Sequence, residues 1–424
     1  GGDYAQVLYA YDRLGNQLSV AYADEKGEPV VSTAGYASVL RTYDGMSRLL
    51  TEDFRDAQGG LLAQKSGYAR RINEYDAQGF LLYERYDGED GQPVVLPEGY
   101  AACAYERAGD GRLTARSYLG VDGRPAVLPD GYSAVAYAYT DSGLLKSETY
   151  LLDGAPVLRK DGYACVAYER DAYGRVTKES YLDAEMRRVL LEAGYSAIAY
   201  AYDAAGNTLR VSYLDAEDHL ARLPEGFSIW QREYDENNRV IVEQYLDERE
   251  KIASLTHRHA AVSRLYDERG RLIRVTYLDG SLQPVMIAAG YAMVEYTHDD
   301  DDRVTLTRYL DDDGIPIRLS SGYASVQSVY GDQGAVFRTI YQDESGLPVI
   351  MQNGYAATEF TYDAHKHVVR VDYLDDQYQP TTISAGYTSL TRMVDKNGNI
   401  LSESYFDMQG APVACNAGYA TVKT

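Results

Sequence analysis

Basic residues are scarce in this chain: 41 Lys and Arg stand against 64 Asp and Glu, a formal net charge of −23. That balance leaves no broad basic face, so neither nucleic-acid phosphates nor an anionic membrane surface is an expected partner. Cysteine is nearly absent. Cys103, Cys165 and Cys415 fall at unrelated places and make no disulfide framework, so they read as small apolar filler. Trp230 is the one tryptophan. No run of 18 apolar residues occurs, so no segment is read as a membrane-spanning helix. There is no helical period, no Gly-x-Ser-x-Gly elbow and no carboxylate pair that stands out from the others, and no enzymatic activity is expected. Of six histidines only His257/His259 and His365/His367 have i,i+2 spacing, which puts both rings on one face of a strand. Neither pair has a recurring third ligand for zinc.

What the chain has in abundance is repetition. A mark, usually Gly-Tyr, recurs at Tyr4, Tyr36, Tyr68, Tyr100, Tyr132, Tyr163, Tyr195, Phe227, His259, Tyr291, Tyr323, Tyr355, Tyr387 and Tyr419. Every step is 32 residues except the 31 from Tyr132 to Tyr163. Fourteen marks bound thirteen repeats: 3–34, 35–66, 67–98, 99–130, 131–161, 162–193, 194–225, 226–257, 258–289, 290–321, 322–353, 354–385 and 386–417, with a further one starting at 418–424. Such a period means one array in which each unit buries its apolar face against its neighbours. The chain begins and stops at the start of a repeat, as a segment of a longer protein would.

Two more aromatic positions keep step with the mark. Eighteen residues after it lie Tyr22, Phe54, Tyr86, Tyr118, Tyr150, Tyr181, Tyr213, Tyr245, Tyr277, Tyr309, Tyr341, Tyr373 and Tyr405. Seven after it lies tyrosine in nine repeats, with Arg107, Arg170, His298 and Val394 as exceptions. These three positions hold 33 of the 42 tyrosines, so the tyrosine content is positional.

Within a unit, segments such as Tyr36 to Asp44 alternate with period two and predict a strand, here strand A. An Asp-x-x-Gly turn follows, as at Asp76 to Gly79, where Asp caps its own backbone and Gly takes the positive φ of a tight reversal. Asn238 can substitute for that Gly; Ser47, Asp302 and Lys366 are weaker and predict looser turns. Strand B comes next, as in Arg271 to Asp279. A second turn, such as Asp343 to Pro348, then leads to a short third strand that its leading proline confines to an edge or an irregular pairing. The fold class expected is all-β: a tandem β-hairpin array forming a twisted antiparallel sheet or superhelix. A parallel β-solenoid is the alternative. The hairpin is favoured because these turns reverse the chain.

The sequence Tyr-Asp-x-x-Gly-Arg at Tyr266 to Arg271, with YDAQG at Tyr75, YDAAG at Tyr202 and YDRLG at Tyr11, resembles the YD repeat of bacterial Rhs proteins and of teneurins. The resemblance touches all thirteen copies in whole or part, at a period longer than the family's. It implies β-hairpins joined edge to edge in a long curling sheet, on secreted or cell-surface proteins. A weaker likeness is to the aromatic-rich cell-wall-binding repeats of Gram-positive surface proteins. Those use tryptophan heavily; here tyrosine would do any stacking on sugars.

One acidic concentration suggests a metal. Asp299, Asp300, Asp301 and Asp302 lie on one turn, and Asp311 and Asp313 on the next turn of the same repeat. Carboxylates and turn carbonyls suit calcium, though the spacing matches neither the EF-hand nor the nonapeptide calcium repeat. The alternative is a solvated acidic turn. No other cofactor is expected.

Two functional readings follow. The chain is a stalk or spacer in a large bacterial cell-surface or secreted protein, touching at most a neighbouring surface protein. Alternatively it binds a cell-wall or host glycan through a ladder of tyrosines, Tyr118, Tyr150, Tyr181, Tyr213, Tyr245, Tyr277, Tyr309 and Tyr341, gaining avidity from many weak sites. Burial of that ladder supports the first reading and exposure the second.

Overall fold

A computed structural model of the chain describes residues 4–253, 255, 259–331, 334–395 and 398–423. Among these there is no helix; the regular structure is β-strand joined by tight turns. The residues group into two compact units, Gly1–Tyr200 with Tyr213–Ala221, and Ala201–Ser212 with Arg222–Thr424. Both are built from the same hairpin.

In the repeat 35–66, strand A is Ser38–Tyr43 and strand B is Leu49–Arg55. They pair antiparallel, with Val39 opposite Phe54 and Arg41 opposite Glu52. The register slips between Thr42 and Tyr43, leaving Leu50 as a bulge. The same slip recurs at the equivalent place in later hairpins, at Glu74/Tyr75 and at Thr361/Tyr362 for example. Strand B then pairs antiparallel with the next strand A over three residues, as Thr51, Glu52 and Asp53 do with Ile72, Arg71 and Arg70. Each unit is thus a run of hairpins joined edge to edge, and the parallel coil is not formed.

The residue after each mark sits where three strands meet. Ala37 donates its N–H to Arg55 and accepts at its carbonyl from Tyr22 of the preceding hairpin, each at 2.8 Å. Squeezed between two strands B, this position admits only a small side chain: Ala37, Ala69, Ala101, Ala164, Ala260, Ala292, Ala324 and Ala356 are all at most 1% exposed. Two positions further on, Val39, Cys103, Val135 and Val166 are buried under the aromatic rings. The three cysteines are free and buried, each standing where most other repeats carry a small or apolar residue.

The structure differs from the sequence reading at the end of the repeat. The predicted third strand shrinks to one isolated bridge, such as Asp87 to Pro93, and among the described residues reaches two residues only at Ala155–Pro156. Proline cannot donate at that position, so the contact rests on the next residue; Val94 N–H bonds the Tyr86 carbonyl at 2.9 Å. A third tight turn then redirects the chain. Leu96 N–H bonds Tyr100 O and Gly99 N–H bonds Leu96 O, so the Gly of the Gly-Tyr mark closes this turn before strand A begins.

The turns that lost Gly after strand A are not looser. Ser47, Asn238, Asp302 and Lys366 all take φ between 60° and 65° and keep the bond back to the turn Asp. The Asp explains it. Asp44 Oδ1 accepts from the N–H groups of Met46 and Arg48, holding the loop from inside whatever residue carries the positive φ.

Candidate functional site

The two aromatic positions that sequence spacing separates become one row. Within each unit, a mark ring lies 4.6–5.3 Å, centroid to centroid, from the ring eighteen residues later, which lies 5.7–6.3 Å from the next mark. In the first unit the row runs Tyr4, Tyr22, Tyr36, Phe54, Tyr68 and so on to Tyr213. In the second it runs from Phe227 and Tyr245 through His259 and Tyr277 to Tyr419. The rings meet edge to face or tilted, the arrangement their quadrupoles favour.

Of the ladder residues, Tyr118 and Tyr150 are buried, and Tyr181, Tyr213, Tyr245, Tyr277, Tyr309 and Tyr341 are half-buried. None is exposed. Burial raises the phenol pKa of Tyr245, Tyr291 and Tyr341 to about 12 and that of Tyr118 and Tyr150 further up.

The Tyr-Asp-x-x-Gly-Arg motif proves to be a connector between repeats. The tyrosine hydroxyl donates to the carbonyl at the start of the preceding strand B, Tyr75 to Leu49 at 2.9 Å and Tyr139 to Leu113 at 2.7 Å. Tyr234, Tyr266, Tyr330 and Tyr362 do the same. The arginine works the other way along the array. Arg48 pairs with Asp44 of its own turn, donates to the carbonyl of Asp76 in the next turn at 3.0 Å, and lies 5.0 Å over the ring of Tyr75. Arg112 with Tyr139, Arg239 with Tyr266 and Arg303 with Tyr330 repeat the stacking. Sequence inspection found the motif without this purpose, because its partners are 26 to 28 residues away.

The acidic run is engaged by arginine. Asp299 Oδ1 accepts from the N–H groups of Asp301 and Arg303, and its Oδ2 pairs with Arg303; the hydrogen bond from that side chain leads the causes that lower its pKa. Asp301 also pairs with Arg303, and Asp302 with Arg271 at 3.1 Å; the Asp300 carbonyl accepts from Arg269. Asp311 caps the following turn through the N–H groups of Asp313 and Ile315. The structure does not unite the two groups: the seven-residue strand Val304–Leu310 holds them about 20 Å apart. Among the described residues no three His, Cys, Asp or Glu converge for a metal ion. His257 lies outside the described residues. His259 stands in the aromatic row, and His365 and His367 stack at 6.0 Å with His367 against Asp363.

No family model and no curated protein matches the chain. Solved structures resemble it weakly. A crystal structure of TcdB2-TccC3-TEV is 11% identical with a TM-score of 0.41, and one of TcdB2-TccC3-Cdc42 is 12% identical at 0.36. The Tc holotoxin pore of Photorhabdus luminescens is 11% identical at 0.33. They match over 99%, 94% and 95% of this chain, which spans only a fifth to a quarter of theirs.

Proposed function

We propose that the chain is a non-enzymatic structural array, a stalk or spacer within a bacterial cell-surface or secreted protein. The observation that carries this reading is where the recurrent side chains go. The mark and the ring eighteen residues later are spent on packing against one another, and the motif tyrosine and arginine are spent on tying each hairpin to the next. What recurs in every repeat is cohesion.

Multivalent glycan binding along the whole row is less well supported. Each ring is flanked by rings at 4.6–6.3 Å, so little of either face is open to a sugar. Deleting the two repeats 290–353 tests the spacer reading. In an array stabilised by nearest-neighbour contacts the remainder should stay folded, with a single melting transition and a proportionally smaller maximum dimension by small-angle scattering. Retention of the intact chain on cell-wall or host glycan, lost when Tyr245, Tyr277 and Tyr309 become alanine in a chain that still folds, would sink it.

A further inference from the structure

One repeat departs from the others on a single face. Sixteen residues after the mark the chain carries Val, Thr or, in six repeats, Glu; only repeat 99–130 has a cation there, Arg116. Seven residues after the mark the same repeat has Arg107 in place of tyrosine. On this sheet face Arg41 is neutralised across the strand pair by Glu52, Arg232 by Glu243 and Arg392 by Glu403, whereas Arg264 faces Val275 and Arg170 bonds only backbone carbonyls; repeat 99–130 alone places two such arginines together among the described residues. Arg107 and Arg116 have no carboxylate partner among the described residues. Arg107 donates to its own turn at Gly111 O, Arg116 reaches the Cys103 thiol at 3.4 Å, and the Nε of each is buried without a hydrogen-bond partner. In a chain of net charge −23 these are two unspent positive charges on one hairpin.

Aromatic rings line the path between them. Arg107 lies 5.1 Å over Phe80; Arg116 lies 5.7 Å over Tyr105 and 4.8 Å over Tyr118, which meets Tyr100 at 5.2 Å. Two open grooves flank the row. One of about 590 Å³ is lined by Phe80, Leu82, Tyr105 and Arg107 together with Asp76 and Glu106; the other, of about 390 Å³, by Tyr100, Arg116, Tyr118 and Tyr132 with Glu98 and Asp130. Tyr105 is opposite Arg116 in the strand pair, so the backbone positions of Arg107 and Arg116 are about two residues, or roughly 7 Å, apart along the hairpin.

We propose that this face of repeat 99–130 binds a carboxylated glycan. Guanidinium groups hold carboxylates by paired N–H donors, and Phe80, 39% exposed at the edge of the groove, offers apolar surface to a sugar. The carboxylates at the groove margins, Glu98, Glu106, Asp76 and Asp130, suit the hydroxyl donors of a sugar and oppose a polyphosphate, which has no hydroxyls along its chain and sets its charges closer together than one per sugar ring. The site stands independently of the spacer reading, which would survive its failure.

The test returns each odd residue to what the repeat ordinarily carries, so that folding is not at stake: Arg116→Glu and Arg107→Tyr in the full chain, with unchanged melting temperature as the check. Isothermal titration would use an oligogalacturonate, its carboxyl-reduced neutral counterpart of equal length, and inorganic polyphosphate. The acidic oligosaccharide should bind, each substitution should weaken it roughly tenfold or more, and Arg318→Gln in a distant repeat should leave it unchanged. No binding, equal binding of the neutral oligosaccharide, tighter binding of polyphosphate, or indifference to both substitutions would each overturn the assignment.

Discussion

The guanidinium of Arg107 lies 5.1 Å from the centre of the Phe80 ring, an inversion of the pair that Arg48 and Tyr75 make one repeat earlier. There the cation is on the earlier repeat and the ring on the later; here the ring comes first. The stacking survives the exchange because it depends on which side chains meet, not on which chain segment supplies each. A double-mutant cycle with Phe80→Ala and Arg107→Ala should return a coupling of about 1 kcal/mol. Gly111 belongs to the same arrangement: a Cβ there would come within 2.3 Å of Phe80 Cζ, at a φ of +85°. Gly111→Ala should therefore lower the melting temperature more than Gly15→Ala, whose added Cβ meets nothing within 4 Å. Equal losses would show that Phe80 moves aside freely.

Leu282 holds a positive φ of 60° in the turn after strand B, where most repeats have Gly, and its side chain is 45% exposed. Removing the side chain relieves backbone strain and gives up little packing. Leu282→Gly should raise stability by about 0.5–1 kcal/mol in chemical denaturation. A loss would mean the side chain contributes packing that outweighs the strain.

Tyr150 is 8% exposed within the aromatic row, whereas Tyr173 is 85% exposed on a turn. Tyr150→Ala should cost about 3–5 kcal/mol, the usual range for truncating a large buried ring. Tyr173→Ala should stay within about 0.5 kcal/mol. Similar values for both would remove the row from the core.

Alkaline pH should melt the array. Burial raises the pKa of Tyr245, Tyr291 and Tyr341 from 10.0 to about 12. A phenol raised in the folded state favours folding while it stays protonated. That contribution is complete below about pH 10 and is lost as pH climbs through about 12. Circular dichroism and tyrosinate absorbance should change together in this window; ionisation completed near pH 10 with the fold intact would contradict the burial.

At the acidic run, Asp299 caps its turn with three hydrogen bonds, while the Asp300 side chain is exposed. Asp299→Ala should lower the melting temperature clearly and Asp300→Ala hardly at all. Millimolar calcium should leave the wild-type melting curve where chelator does. A rise with calcium that Asp300→Ala abolishes would restore the metal site.

The all-β class and the first hairpin turn are legible in the residues, because alternation and Asp-x-x-Gly are local and act within a few bonds of one another. The third turn is not legible there, because its Gly is also half of the Gly-Tyr mark and the proline before it suits the start of a strand. Spacing alone also set the two tyrosine ladders apart. Only the hairpin register, bulge included, slots Tyr86 between Tyr68 and Tyr100 to make one row. The connector role of Arg48 and the stacking of Arg107 on Phe80 depend equally on neighbours in the adjoining repeat. Sequence determined the repeat because its causes lie within the repeat; the tertiary structure decided cohesion and burial because each is a property of contact between neighbouring repeats.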